Sequence, residues 1–200
     1  MLSRIEVQNN CMKVLNEAAT VGTDQTSVQH GLNFYKYMFK NYPDLRKYFK
    51  GAEHYTPEDV QNSERFVKQD KIFFCITCIF CICYVCKFLK FKGIYLTSII
   101  NFLVSGIWYV LGQRILLAIR IIVNTYNDHE TFLAYARETV NRHVKFKMDR
   151  NLWMGFFLIL VEFLKEYTEV NTETEQSILQ IGKDFADECV VHTVALNLPH

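Results

Sequence analysis

Five cysteines lie within twelve residues in the stretch CITCIFCICYVC, residues 75–86. Cysteine thiolates this close together could bind zinc or an iron–sulfur cluster. Metal-binding thiolates need turns and polar hydrogen-bond donors around them, whereas this stretch is crowded with Ile and Phe. Its spacing also differs from the two-plus-two cysteine pattern of zinc sites. We therefore interpret these cysteines as small buried hydrophobic residues rather than as metal ligands.

His143 is the second candidate for chemistry, because it continues the apolar face formed by Phe132, Ala136 and Val140 at helical spacing. An imidazole there could bind a metal, but spacing alone favours a buried structural residue. The sequence has no HExxH motif or paired-histidine zinc pattern. It also lacks a nucleophile elbow, a phosphate-binding glycine loop and a carboxylate pair. No enzyme motif therefore supports catalysis.

The elements that must position these residues are predicted to be helices. Ser3 and Glu6 form a capping box that opens a first helix to about Ala19, and Pro43 ends a second helix that starts near Ser27. No stretch outside residues 70–111 alternates with a period of two, so we predict an all-α fold of about six to eight helices. Further helix starts or caps are predicted at Thr56, Ser63, Asp128, Asp149 and Thr172.

Composition limits the partners and the compartment. The chain has 22 basic and 21 acidic residues, so no charge excess favours a nucleic-acid partner. Outside residues 70–111 only two cysteines remain, Cys11 and Cys189, which is typical of a reducing cytosol. The first residues lack the apolar core of a secretory signal. We therefore predict a cytoplasmic protein of unknown oligomeric state.

Three stretches resemble the nematode globins, particularly the intracellular, myoglobin-like type. They are NYPDLRKYFKGAEHYTPEDV, then KQ followed after residues 70–111 by GQRILLA, and finally YARETVNRH. The resemblance covers essentially all of the chain outside residues 70–111. It implies a globin fold around a pocket for b-type haem, with reversible oxygen binding rather than catalysis as the function.

The resemblance also implies a role for five residues. His143 matches the proximal histidine that binds haem iron, and Phe49 matches the phenylalanine that packs on the haem. Tyr35 and Gln69 match distal residues that donate hydrogen bonds to bound oxygen, and Ile115 would line the same pocket. Bound oxygen carries partial negative charge, so two donors at roughly 1 to 1.5 kcal/mol each would slow its escape by about one to two orders of magnitude. We therefore expect high oxygen avidity.

Residues 70–111 interrupt the resemblance immediately after Gln69. Without them, Gly112 would follow Gln69 directly, where the family has a glycine at a close helix crossing with Gly31. Ile115 would then lie one helical turn beyond Gln69 on the same face. As the chain stands, we predict one globin domain over residues 1–200, with an apolar, helical insertion at residues 70–111 that splits the distal helix, helix E.

Two hypotheses explain this insertion better than a metal site. Residues 72–89 and 94–111 are each just long enough to cross a membrane as one arm of a hairpin, and lysines between them can snorkel. Alternatively, residues 70–111 are a translated intron, since they consist largely of the residues that AT-rich noncoding sequence encodes. Val110-Leu111-Gly112 can also be encoded across a splice acceptor. We favour the intron hypothesis.

Two alternative functions remain open at this stage. A globin pocket also permits haem chemistry on nitric oxide or peroxide. A membrane hairpin within residues 72–111 would instead make the chain a tethered haem sensor.

The intron hypothesis predicts the structure of the transcript. We expect sequencing reads to run from the codon of Gln69 straight into that of Gly112, because the mature message would lack the intervening codons. Abundant reads that contain codons 70–111 would contradict the hypothesis.

Overall fold

The structure, a computed structural model, describes residues 2–67 and 113–198, and its secondary structure there is entirely helical. The predicted all-α class is therefore confirmed. The eight α-helices of these ranges are α1 Arg4–Ala18, α2 Gln25–Asn41, α3 Pro57–Asn62, α4 Glu64–Val67, α5 Arg114–Thr125, α6 His129–His143, α7 Leu152–Tyr167 and α8 Thr172–Ala195. Two 3-10 helices, Pro43–Tyr48 and Val144–Phe146, join them.

Several predicted features lie outside the described residues. They include Gln69, Gly112 and the whole of residues 70–111, with the cysteine cluster and both candidate membrane spans. Gly31, the predicted partner of Gly112, is buried on α2. Within residues 2–67 and 113–198, no helix is both long and apolar enough to cross a membrane.

Local sequence signals explain three of the helix starts. Ser3 and Glu6 form the predicted capping box at α1, and Thr56 and Asp59 form another at α3. Asp128 caps α6, because its carboxylate accepts the backbone N–H of the third helical residue. Each cap satisfies amide groups that the first helical turn leaves without partners.

Two predicted caps are wrong in position. Asp149 lies two residues too early and accepts a hydrogen bond from the backbone amide of Asn151, the actual N-cap residue of α7. At α8, Asn171 is the N-cap, and its side chain accepts the backbone N–H of Thr174 at 2.8 Å. Thr172 is already helical, because the preceding asparagine satisfies the free amide.

The helices pack in two groups that share α7 and α8. Helix α2 packs on α3, α4, α7 and the first 3-10 helix, so it gathers Tyr35 and Phe49 on one side of the molecule. Helix α6 packs on α8 and on α5, which itself lies against α1. The core between the groups is aromatic, with Phe34 and Phe163 in edge-to-face contact at 5.2 Å.

Helices α7 and α8 approach most closely at Gly182. A Cβ atom on this glycine would lie 2.6 Å from Cγ of Phe157, a ring that is 3% exposed. Only a residue without a side chain fits this crossing, because the ring is packed on every side. This close packing fixes the position of α7, the helix whose residues lie next to His143.

Gly182→Ala should lower the free energy of unfolding by about 1 to 3 kcal/mol, because the added methyl group must displace Phe157. Urea unfolding followed by circular dichroism measures this change. Gly155→Ala on α7 is the matched control, since its Cβ would meet only a leucine methyl at 3.8 Å. The control should be neutral or stabilising by up to about 1 kcal/mol, because alanine favours helix. Equal losses of unfolding free energy in the two variants would contradict this explanation of the helix crossing.

Candidate functional site

His143 is the last residue of α6, and its ring is held by its own helix. Nδ1 lies 2.7 Å from the carbonyl oxygen of Thr139, one turn earlier. A carbonyl can only accept, so Nδ1 carries the proton and donates it. The other ring nitrogen, Nε2, therefore carries the lone pair. This tautomer, fixed by a backbone carbonyl, is the one that binds metal through Nε2.

The surroundings of His143 keep its imidazole neutral. Burial lowers the pKa of His143, and the positive charges of Arg142 and Lys145 lower it further. The hydrogen bond to Thr139 raises the pKa of His143, but this effect is smaller than that of burial. A neutral imidazole is required for coordination, because a protonated ring has no free lone pair.

Apolar and aromatic groups enclose the ring. Trp153 lies edge-on to His143 with 5.5 Å between ring centroids, and Phe146 lies 5.6 Å away on the other side. A small cavity of about 10 Å³ adjoins the ring and is also bounded by the side chains of Val140, Val144, Met148, Thr193 and Leu198. His143 is therefore half-buried against apolar groups, of which Val144 and Phe146 are themselves 37% and 40% exposed.

Tyr35 lies in the middle of α2 and is 2% exposed, so its hydroxyl does not reach the surface. Its ring makes edge-to-face contacts with Phe49 at 5.6 Å and with Phe66 at 5.1 Å. Four neighbouring rings fix its position, since Phe34 and Phe39 pack on it as well. The phenol group is therefore held rigidly within an apolar cluster.

The Tyr35 phenol remains protonated and can act as a donor. Burial raises its pKa, and the charges of Arg114 and Arg65 oppose this effect only in part. The backbone amide of Ile115 also hydrogen-bonds to the phenolic oxygen. An oxygen that accepts from an amide becomes a stronger donor through its own hydrogen, because hydrogen bonds in a chain polarise one another.

The structure brings three of the five predicted site residues together. Phe49 follows the first 3-10 helix as its C-cap residue, is half-buried, and contacts Tyr35 and Phe39. Ile115 is half-buried in the first turn of α5, where its amide meets Tyr35. His143 lies on α6, which packs on α5. Gln69, the fifth, is outside the described residues.

Two further residues support the site and were not predicted. Gln113 is 0% exposed, and its side-chain amide exchanges two hydrogen bonds with the backbone of Gly22, at 2.9 and 3.0 Å. This pair fixes the start of α5 and hence the Ile115 amide. Trp153 packs on His143 from α7. Neither residue belongs to a sequence motif, because each contact depends on how separate helices and loops pack.

These residues fit a haem group. His143 offers iron a neutral nitrogen with a defined lone pair, and Tyr35 offers a buried hydroxyl donor on the other group of helices. The intervening α5 carries an apolar residue, Ile115, next to that donor. Among residues 2–67 and 113–198, no cluster of three or more His, Cys, Asp or Glu could hold a metal ion by itself. A single protein nitrogen is the donor set that haem iron needs.

A family model described as Globin matches residues 32–82 and 108–189 of the chain. The matched ranges contain all five predicted site residues. The match is interrupted between residues 82 and 108, within the predicted insertion at residues 70–111.

Individual proteins agree with the family match. The chain is 38% identical over 199 residues to a globin-like protein of Caenorhabditis briggsae, covering 100% of this chain and 98% of that one. It is 32% identical over 195 residues to a myoglobin of Nippostrongylus brasiliensis, with 98% of each chain covered. A solved globin-like protein of C. elegans has a TM-score of 0.75 and 34% identity, covering 100% of this chain and 99% of its own. The chain therefore belongs to the globin family.

Proposed function

We propose that this protein binds oxygen reversibly through b-type haem, with His143 as the only protein ligand of the iron. Haem-based oxygen binding follows from membership of the globin family. The observation that carries the assignment of His143 is its hydrogen bond to the Thr139 carbonyl at 2.7 Å, which leaves Nε2 with the lone pair. Bound haem would supply the iron to which oxygen attaches.

Tyr35 determines the oxygen avidity in this proposal. Its buried hydroxyl accepts from the Ile115 amide and can donate to the partial negative charge of bound oxygen. The same hydroxyl stabilises a bound ligand much less when that ligand carries no separated charge. Gln69 would be the second donor, while Phe49 and Ile115 would exclude water. Because water would compete for both donors, the dry surroundings raise the strength of each hydrogen bond.

We infer that residues 70–111 do not belong to the globin domain. The break in the family match, between residues 82 and 108, falls inside the segment. Joining Gln69 to Gly112 would place Gln69 one turn before Ile115, beside the Tyr35 hydroxyl.

We also propose a cytoplasmic location. Cys11 and Cys189 are free and buried in the described part of the chain, and burial raises the pKa of the Cys11 thiol to about 12. Such thiols are inert structural residues rather than halves of a disulfide framework. This thiol chemistry is compatible with a reducing compartment.

Replacement of His143 by glycine should abolish the sharp Soret absorption band of the haem-loaded protein, because the iron loses its protein ligand. Added imidazole should restore the band by occupying the space that the side chain leaves. This rescue separates the loss of a ligand from the loss of the fold. His192→Ala is the control, since the His192 side chain is half-buried and its ring hydrogen-bonds to Asn141, away from the proposed site. An unchanged spectrum in the glycine variant would overturn the assignment.

Tyr35→Phe should accelerate oxygen dissociation about ten-fold, because one hydrogen bond of about 1 to 1.5 kcal/mol is lost. Stopped-flow displacement of oxygen by carbon monoxide measures this rate. Dissociation of carbon monoxide itself should change much less, because that ligand carries less charge. Tyr48→Phe, at the half-buried end of the first 3-10 helix, is the matched control. Equal acceleration for both gases would indicate a wider pocket instead of a lost hydrogen bond.

A further inference from the structure

A groove of about 250 Å³ lies on the surface between α6 and α8. It adjoins the first two turns of α6, whereas His143 is the last residue of that helix. None of the residues of the proposed oxygen site lines it. Its volume is slightly below the roughly 300 Å³ at which pockets for drug-sized ligands begin. The groove therefore has the size for a small metabolite and is separate from the site described above.

Arg4 gives this groove a positive charge that forms no ion pair in the described part of the chain. Its Nη1 donates a hydrogen bond of 2.9 Å to the backbone carbonyl of Tyr126, and its guanidinium lies 4.7 Å from the centre of the Tyr126 ring. A guanidinium has five N–H donors, so donors remain for a ligand. The side chain is half-buried, and a charge in that position is stabilised when an opposite charge reaches it. Arg4 can therefore bind an anionic group.

Asp184 gives the groove the opposite charge, and its hydrogen-bond donors are neutral. Its Oδ2 accepts from the Tyr126 hydroxyl at 2.7 Å, and its Oδ1 accepts from the Gln180 side-chain amide at 2.8 Å. The charge of Lys183 acts on Asp184 only at a distance, because that ammonium bonds to Asp187 at 2.6 Å. Each carboxylate oxygen can accept a second hydrogen bond. Asp184 can therefore bind a cationic group.

The ring of Tyr126 keeps these two charges apart. Arg4 lies over the face of the ring, whereas Asp184 bonds to the hydroxyl at its edge. Tyr126 is 3% exposed and packs edge to face on Phe132 at 5.3 Å, so the core fixes its position. The groove thus presents a positive and a negative charge that do not neutralise each other. A ligand that carries both charges would form a charge-assisted hydrogen bond with each residue.

The third component of the groove is an apolar wall. Phe132 and Leu133 of α6 and Val191 of α8 form it. Val191 is 62% exposed, so its side chain meets water in the free protein. Removing apolar surface from water is favourable, so an apolar group of a ligand would pack here. A groove with two separate charges and an apolar wall matches a zwitterion that has a hydrocarbon side chain.

Two further carboxylates restrict which side chain such a ligand can carry. Asp187 and Glu188 also line the groove, and each is paired with a cation outside it, Lys183 at 2.6 Å and Arg137 at 2.5 Å. Because these ion pairs already neutralise both acids, a basic ligand side chain gains little from them. An acidic side chain would instead lie beside two more negative groups. The lining therefore favours an uncharged, apolar side chain.

We propose that this groove binds a free α-amino acid with an apolar side chain, such as leucine. Its ammonium group donates to Asp184, its carboxylate accepts from Arg4, and its side chain covers Leu133 and Val191. The site does not require haem at His143. Because the ligand touches α1, α6 and α8 together, it stabilises the folded chain in proportion to its occupancy. The protein thereby responds to the concentration of free amino acid as well as binding oxygen.

Three probes with the same branched hydrocarbon tail test the need for both charges. They are leucine, 3-methylbutylamine, which lacks the carboxylate, and 4-methylpentanoate, which lacks the ammonium group. Saturation-transfer NMR on the methyl protons of each probe measures its affinity for the full-length chain loaded with haem. We expect saturable binding of leucine and at least ten-fold weaker binding of the other two, because each loses one charge-assisted hydrogen bond. Equal affinity of either single-charge probe, or no saturable binding of leucine, would contradict the proposal.

Two variants that each remove one charge locate the site. Arg4→Gln keeps a donor for the Tyr126 carbonyl, and Asp184→Asn keeps an acceptor for the Tyr126 hydroxyl, so both should fold. Each should weaken leucine binding about ten-fold. Glu175→Gln is the matched control, because Glu175 lies on the same helix but pairs with Lys165 outside the groove. The control should bind leucine as the unmodified chain does. Equal leucine affinity in all three variants would place the site elsewhere and overturn the proposal.

The single-charge probes separate a lost contact from a lost fold. Arg4→Gln should leave the affinity for 3-methylbutylamine unchanged, and Asp184→Asn should leave that for 4-methylpentanoate unchanged, because neither probe uses the group that was removed. Loss of all three probes in both variants would contradict the two separate contacts. A normal Soret band without leucine binding contradicts this proposal alone. Leucine binding by a chain that takes up no haem contradicts only the proposed oxygen binding.

Discussion

The oxygen binding proposed for this protein depends on the hydrogen bond from His143 Nδ1 to the Thr139 carbonyl. It fixes the tautomer and the ring orientation, and burial keeps the imidazole neutral. The bond is made within one helix, so α6 itself prepares the ligand. The remaining helices pack apolar groups against this ring and hold the Tyr35 phenol on another side of the molecule.

The two groups of helices supply different chemistry. On the α2 side, rings of phenylalanine hold the Tyr35 phenol, and the only polar partner that reaches its oxygen in the described structure is the Ile115 amide. On the α6 side, Trp153 borders His143 and leads through α8 to a tyrosine bonded to a carboxylate. Oxygen would therefore meet a proton donor, whereas the iron ligand borders an oxidisable ring.

Most of the fold could be predicted from sequence because its signals are local. The capping boxes at Ser3 and Thr56 and the cap at Asp128 lie where the pattern places them. The errors at Asp149 and Thr172 are also local: α7 begins two residues beyond Asp149 with no side-chain cap, and Asn171 caps α8 in place of Thr172. The candidate site was harder to predict from the sequence. Spacing alone indicates that His143 is a core residue, and only the family resemblance predicts that it is an iron ligand.

The sequence by itself determined the all-α class and placed His143 on a helix, because helical period and capping are written within a few turns of chain. Tertiary structure alone decided that Gln113 is buried against Gly22, that the Ile115 amide meets Tyr35, and that Trp153 borders His143. The first two contacts join residues about eighty to ninety positions apart. Contacts of this kind leave no periodic trace in the sequence, since they depend on how whole helices cross.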